Sequence, residues 1–483
     1  MSGEEKKKME CLHPGDPRVC VLLGKQPLIA GGKQLRWSRF VYRMDTEGQT
    51  LLFHTLTRKL YLIHDSAFMM HHYFDDTPAQ PLYSVAILDD KWMKELYENH
   101  FLVPEGTDES QLYLQVKNII VIKEELPKGI THYVILPTTT CNARCFYCFE
   151  LGMEYRKMSR ETVEDVLRFI LEHKPKEHKN IHIHWFGGEP MCAADNIDRI
   201  CDGLDEAGIE YTAEMTSNGS LFDEESVKKA AEKWKVGEIQ ITLDGLAEEY
   251  AKRKRYVGIE KPFDTVIRNI HLLTKGGIKV TIRLNVDEQN EEETYKVIAF
   301  LKEEFSEEEK EKMRVYAHSL FGQEGEGLDG CPASAASDEL EEKVQEINNK
   351  LLREGLISKD LGELFSLKSH YCMVTAPECN VLIDSTGNLF ACDAMPENMR
   401  YGDVKTGIDP EKWRKVASIC DIREECRECV FLPQCTEFDR CPSRAAYPDC
   451  RKQEERKLKS DLKFAYMIYL EDRKQKEKIG VSD

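Results

Sequence analysis

Thr138-Thr139-Thr140-Cys141-Asn142-Ala143-Arg144-Cys145-Phe146-Tyr147-Cys148-Phe149 is the stretch that decides the reading of this chain. Its three cysteines are spaced by four and then three residues, directly after a predicted strand at 132–137. Thiolate sulfur is a soft ligand, and a short loop of this spacing suits an iron–sulfur cluster or part of a zinc site. The triplet is one ligand short of the usual four. Either a distant side chain completes a zinc knuckle, or one iron stays open to another molecule.

The rest of the composition narrows the setting. A chain of 483 residues exceeds what one core usually supports, about 250–300 residues, so several domains are expected. The sequence has no run of about 18 apolar residues, so no membrane span is expected. The first ten residues, MSGEEKKKME, lack the apolar stretch of a signal peptide. A cytoplasmic protein is expected, and in that compartment 17 cysteines read as metal ligands rather than disulfides. A net charge of -19 argues against nucleic acid as the main partner, because phosphate binding calls for a basic surface.

Residues 1–34 show little periodicity and read as a loosely ordered lead-in. From Arg36 the pattern is strand-like, with Phe40, Tyr42 and Met44 alternating against Val41, Arg43 and Asp45. Glu47-Gly48 reads as a turn, and Leu51-Leu52-Phe53 and Leu60-Tyr61-Leu62-Ile63 as further strands. Trp92, Met93, Leu96 and Tyr97 then fall on one helical face. Residues 35–128 therefore read as a small domain of strands followed by helices. Across 129–330 strands are predicted at 132–137, 181–185, 209–216, 238–243, 278–286 and 313–318, with helices between them. This alternation implies a parallel sheet with right-handed crossovers. Functional residues in such folds stand at the C-terminal ends of the strands. Residues 331–371 read as a linker helix region and 451–483 as a charged C-terminal helix.

The strand ends carry the right kind of residue. Gly187-Gly188-Glu189-Pro190 follows the second strand, and its glycines allow close backbone approach to a ligand. Ser217 and Asn218 follow the third strand and Asp244 the fourth; each is either a turn residue or a contact to ligand hydroxyls. Arg283 and Asn285 share one face of the fifth strand. An inward arginine there either meets an anion or packs against the last helix.

The Cys-x3-Cys-x2-Cys loop with an aromatic, Tyr147, before its last cysteine resembles the radical S-adenosylmethionine (AdoMet) superfamily. The resemblance implies a partial (β/α)6 TIM-type barrel and a 4Fe-4S cluster on Cys141, Cys145 and Cys148. It also implies AdoMet bound to the open iron. Gly187, Gly188, Glu189 and Pro190 match the family's methionine-binding motif, Ser217, Asn218 and Asp244 become ribose candidates, and Arg283 becomes a partner for the AdoMet carboxylate.

A second cysteine field holds Cys372, Cys379, Cys392, Cys426, Cys429, Cys435, Cys441 and Cys450. With Gly387 ahead of Cys392, it resembles the SPASM domain, which carries two auxiliary 4Fe-4S clusters. The family's interleaved ligation would give Cys372, Cys379, Cys392 and Cys441 to one cluster. Cys426, Cys429, Cys435 and Cys450 would serve the other. The gap between Cys435 and Cys441 holds five residues where the family usually has three, and Cys420 is the neighbouring substitute. Asp393 occupies the place of an aspartate that accepts a proton from substrate in sulfatase-maturing relatives.

The same resemblance casts 35–128 as a winged-helix-like domain for a leader peptide. The implied function is maturation of a ribosomally made precursor peptide, first by thioether cross-linking at cysteine. Carbon–carbon cross-linking and formylglycine formation on a sulfatase are the alternatives. The implied partners are that peptide and an electron donor such as flavodoxin or ferredoxin.

Overall fold

The computed structural model describes residues 9–27, 34–64, 82–125, 129–148, 150, 152–176, 180–320, 337–357, 361–367, 373, 379–392, 397–417, 424–435 and 450–479. Its N-terminal part is built on two small antiparallel sheets. The strands, in chain order, are β1 (Met9–Pro14), β2 (Gln34–Trp37), β3 (Val41–Thr46), β4 (Gln49–His54), β5 (Lys59–Ile63), β6 (Tyr83–Ser84) and β7 (Leu102–Pro104). One sheet has the order β1-β5-β4-β3 and the other β6-β2-β7. Glu47 and Gly48, both at positive φ, make the tight β3–β4 turn.

The expectation of a loosely ordered lead-in is corrected for residues 9–23. Met9–Pro14 pairs with β5, and Pro17–Leu23 is a helix whose first turn is capped by the Asp16 carboxylate, which accepts from Arg18 N at 2.9 Å. Local periodicity misses this strand because its partner lies some fifty residues downstream.

β4 is buried on both faces, as its unbroken Leu51-Leu52-Phe53 run demands. On one side Leu52, Trp37 and Tyr61 pack with Met93, Leu96 and Phe101. On the other, Leu51, Phe53 and Leu62 meet Phe365, Phe431, Leu458 and Leu462. The helix Cys450–Ile479 and the segment 424–435 therefore seal the N-terminal sheet. Arg58 locks this joint: its Nε donates to Phe365 O at 3.1 Å and its Nη1 to Gln434 Oε1 at 3.0 Å.

The central strands are β8 (His132–Ile135), β9 (Asn180–Trp185), β10 (Glu210–Ser217), β11 (Val236–Thr242), β12 (Lys279–Val286) and β13 (Met313–Ser319). They pair in parallel and in sequence order. Alternate residues such as Ile181, Ile183 and Trp185 bury against the surrounding helices. The opposite face is polar, carrying His182, His184, Glu214, Gln240, Arg283 and His318. The helix after β13, Asp338–Arg353, was expected in a linker. It instead packs against the parallel sheet beside β13, burying Leu340, Val344, Ile347 and Leu351; Asn348 exchanges hydrogen bonds with the backbone of Ala317.

The sheet does not end at β8. β14 (Asn380–Ile383) pairs with it in parallel, and β15 (Asn388–Phe390), β16 (Arg400–Asp403) and β17 (Gly407–Ile408) continue as an antiparallel meander to ten strands. Among the described residues no helix is long and apolar enough to cross a membrane.

Arg58→Ala should lower stability by about 3 kcal/mol, because it leaves buried acceptors without a donor. Denaturant unfolding and faster proteolysis within 424–435 would register the loss.

Candidate active site

The cysteine loop leaves the C-terminal end of β8 and is fastened to the ends of the next three strands. The turn after β9 holds it first. Gly188 N donates to Thr138 O at 3.1 Å and Glu189 N to Thr140 O at 2.9 Å. Gly187 has φ +112, and a Cβ on Gly188 would stand 2.5 Å from Thr139 O and 2.7 Å from Thr140 O. Only glycine permits so close a backbone approach.

Glu189 is fully buried, and both its carboxylate oxygens are committed. Oε1 accepts from Ser217 Oγ at 2.8 Å and Met191 N at 3.1 Å, and Oε2 from Asn218 N at 2.7 Å. Burial raises its pKa, and these hydrogen bonds counter the rise. Glu189 and Ser217 are thus joined to each other across the β9 and β10 ends.

Asn218 reaches into the loop itself. Its Nδ2 donates to Asn142 Oδ1 at 2.8 Å and lies 3.8 Å from Cys141 Sγ. Asn142 Nδ2 in turn donates to Ser220 Oγ at 2.9 Å. Ala143 N also donates to Cys141 Sγ, at 3.3 Å. Two donors aimed at one sulfur suit a thiolate that ligates metal. Without a cation, burial pushes the Cys141 thiol up to about 12 and raises Cys148 as well.

Asp244 belongs to a buried triad. Its Oδ2 accepts from Tyr147 OH and lies 3.2 Å from Lys254 Nζ, which also donates to Tyr147 OH at 2.6 Å. Asp244 Oδ1 has no hydrogen-bond partner among the described residues. Burial works against the Lys254 charge, yet Asp244, Tyr147 and Cys145 hold its pKa well above the ordinary value. The backbone closes the same contact, with Arg144 N donating to Lys254 O at 2.8 Å and Val257 N to Asn142 O at 2.7 Å.

Arg283 stands apart from this knot. Its Nε donates to Asn285 Oδ1 at 2.9 Å, and no carboxylate among the described residues pairs with it. A cavity of about 260 Å³ opens on the polar face, lined by His132, His182, His184, Phe186, Glu214 and Asn380 among others. Glu214 Oε1 lies 3.4 Å from His184 Nδ1, and the His182 and His184 rings lower its pKa.

Of the second cysteine field, Cys379 and Cys392 flank the β14–β15 hairpin, and Cys379 O accepts from Thr131 N and His132 N at 3.0 Å each. Cys426, Cys429 and Cys435 lie on the 424–435 segment against the N-terminal part; Cys450 begins the C-terminal helix. Cys372, Asp393, Cys420 and Cys441 fall outside the described residues. Among the described residues no three His, Cys, Asp or Glu side chains converge on a single metal ion.

Sequence reasoning missed Asn142, Ser220 and Lys254. Asn142 had the only local signal, its place inside the cysteine loop.

The fold and the loop define a protein class. Residues 135–301 match the model of the Radical SAM superfamily, so the chain carries a Radical SAM domain. Fe-coproporphyrin III synthase of Methanosarcina barkeri is 26% identical over 167 residues, 35% of this chain and 40% of that protein. Radical SAM cyclopropyl synthase TigE of Paramaledivibacter caminithermalis is 25% identical over 147 residues, 27% of this chain and 31% of that protein. The chain thus spans less than half the length of these curated relatives. The solved structure of native anSMEcpe with bound AdoMet and Kp18Cys peptide shares the fold at TM-score 0.54 and 17% identity, covering 71% of this chain and 99% of that one. The family implies AdoMet and a 4Fe-4S cluster, and the donors around Cys141 fit such a ligand.

Gly188→Ala should preserve the secondary structure seen by circular dichroism but cut the iron retained after anaerobic reconstitution. Gly237→Ala, where an added Cβ meets nothing within 4 Å, should retain it.

Proposed function

We propose that this protein is a radical AdoMet enzyme that matures a ribosomally made peptide. The observation that carries the proposal is the cysteine loop at the end of β8, bonded to the glycine turn after β9 and to Asn218 after β10. Cys141, Cys145 and Cys148 hold the cluster, and Asn218 and the Ala143 amide stabilise the Cys141 sulfur. The exposed peptide groups of Gly187 and Gly188 receive the AdoMet amino group, and Glu189 keeps that turn rigid rather than touching the ligand. Ser217 Oγ is spent on Glu189, which leaves Asp244 Oδ1 as the free oxygen for the ribose. Arg283 meets an anionic group inside the barrel. When bound, cluster and AdoMet together supply a 5′-deoxyadenosyl radical that removes a hydrogen atom from substrate.

A peptide substrate is supported by the shared fold with anSMEcpe, which holds an 18Cys peptide, and by the N-terminal sheets. β1 and β3 are the outer strands of the larger sheet among the described residues, and an extended leader can add to such an edge through main-chain bonds. The winged-helix-like reading of this part belongs to the same proposal. Cys372, Cys379, Cys392, Cys426, Cys429, Cys435, Cys441 and Cys450 serve a SPASM domain with two auxiliary clusters, one of which takes the surplus electron, and Asp393 accepts a substrate proton. Thioether bond formation at cysteine is the first chemistry, ahead of carbon–carbon cross-linking and formylglycine formation.

Anaerobic reconstitution should load about twelve irons, four for each of three cubanes, and the reduced protein should cleave AdoMet. Replacing Cys141, Cys145 and Cys148 together by Ala should remove about four irons and all cleavage. Cleavage surviving in the triple variant sinks the proposal.

Binding of a precursor leader should slow hydrogen exchange of the β1 or β3 amides. A leader that binds without protecting any amide in 9–104 assigns those sheets a purely structural role.

A further inference from the structure

Lys252-Arg253-Lys254-Arg255 looks like a solvated basic run, yet its members part company. Lys252 and Arg255 are exposed, whereas Arg253 and Lys254 are each 3% exposed. Arg253 lies over the Phe146 ring at 5.0 Å and Lys254 over the Tyr147 ring at 5.3 Å. Both rings sit between Cys145 and Cys148. Lys254 is tied to the loop twice, by its ammonium through Tyr147 and Asp244 and by its carbonyl, which accepts from Arg144 N at 2.8 Å and stands 4.0 Å from Cys145 Sγ. A buried ion pair is weak evidence for stability, since desolvation offsets its attraction. Its place calls for another account.

We infer that Lys254 is a positioning residue for electron entry: its fixed positive charge, anchored by Asp244 and Tyr147, favours one-electron reduction of the cluster held by Cys141, Cys145 and Cys148. This rests on the cluster proposed above. Each electron taken from a low-potential one-electron donor adds negative charge to a site that already carries three thiolates. In a low-dielectric interior a nearby ammonium stabilises that added charge, and a nearby carboxylate opposes it. Lys254 keeps its proton throughout, so the step transfers one electron from donor to cluster and nothing else. Asp244 has two opposed effects. It holds the lysine in place, and its own charge pulls the potential down. Removing either partner therefore shifts the cluster in opposite directions, which a mere packing role does not produce.

The test is an electron-paramagnetic-resonance redox titration of the reconstituted full chain, reduced with titanium(III) citrate. The loop cluster is the signal absent from the variant lacking Cys141, Cys145 and Cys148. Lys254→Met should move its midpoint potential to more negative values, Asp244→Asn should move it to more positive values, and Lys254→Arg should restore it toward wild type. Unchanged potentials in both, or shifts of the same sign, overturn the inference while leaving the cluster reading intact. If Lys254→Met fails to assemble the loop cluster, Asp244→Asn decides alone, and an unshifted or lowered potential overturns the inference. A wild-type protein without the loop signal overturns the cluster reading and this inference together.

Discussion

The site depends on one buried carboxylate. Glu189 binds Ser217, Asn218 and Met191 through its oxygens and Thr140 through its amide. It therefore fixes three separate chain segments, the cysteine loop and the ends of β9 and β10, in one arrangement. A carboxylate with no exposure is costly unless its lone pairs are filled, and here three donors fill them. That cost makes the geometry specific, because any displacement of the β10 end would strand the charge.

The parallel sheet supplies the frame for that knot. Parallel strands bring all their C-terminal ends to one rim, so residues from 136 to 256 meet although they are distant in sequence. Outward-facing Ile181, Ile183, Ile239, Ile241 and Ile282 bury against the helices, which leaves the inner face free to carry His, Glu, Gln and Arg. The N-terminal sheet is braced from the far end of the chain, with Phe53 and Leu62 packed on Phe365, Phe431 and Leu462. Neither half of that joint could hide its apolar face alone.

Much of this was legible because the signals are local. The cysteine spacing, the glycine turn and the six parallel strands all lie in short windows, and the structure places those strands within a few residues of their predicted bounds. Three features were not legible. Met9–Pro14 reads as lead-in because the strand it joins is remote. The helix Asp338–Arg353 looked like a linker because its charges alternate around a narrow stripe, yet Ile347 and Leu351 are fully buried. Lys254 carries no signal in the sequence because burial in a basic run is decided by where the chain turns, and Arg255 turns it at φ 48. The ligand roles of Glu189 and Ser217 also could not be separated from structural ones by sequence, since both readings need the same residue types.

The Cys141 loop and the Cys379–Cys392 pair stand at opposite ends of the same strand. β14 runs parallel to β8 with Asn380 beside His132, so Cys379 lies at the N-terminal end of β8 while the Cys141 loop leaves its C-terminal end. β15 is antiparallel to β14, which returns Cys392 toward the end where Cys379 begins. Four residues of strand rise about 13 Å, a span that separates the Cys141 loop from the Cys379–Cys392 pair without isolating them. The cavity lined by His132, His184 and Glu214 opens along that span. A molecule entering it would have the Cys141 loop at one end and the Cys379–Cys392 hairpin at the other. Main-chain bonds from Thr131 and His132 to Cys379 set that distance, so the spacing is built into the sheet rather than left to a flexible linker.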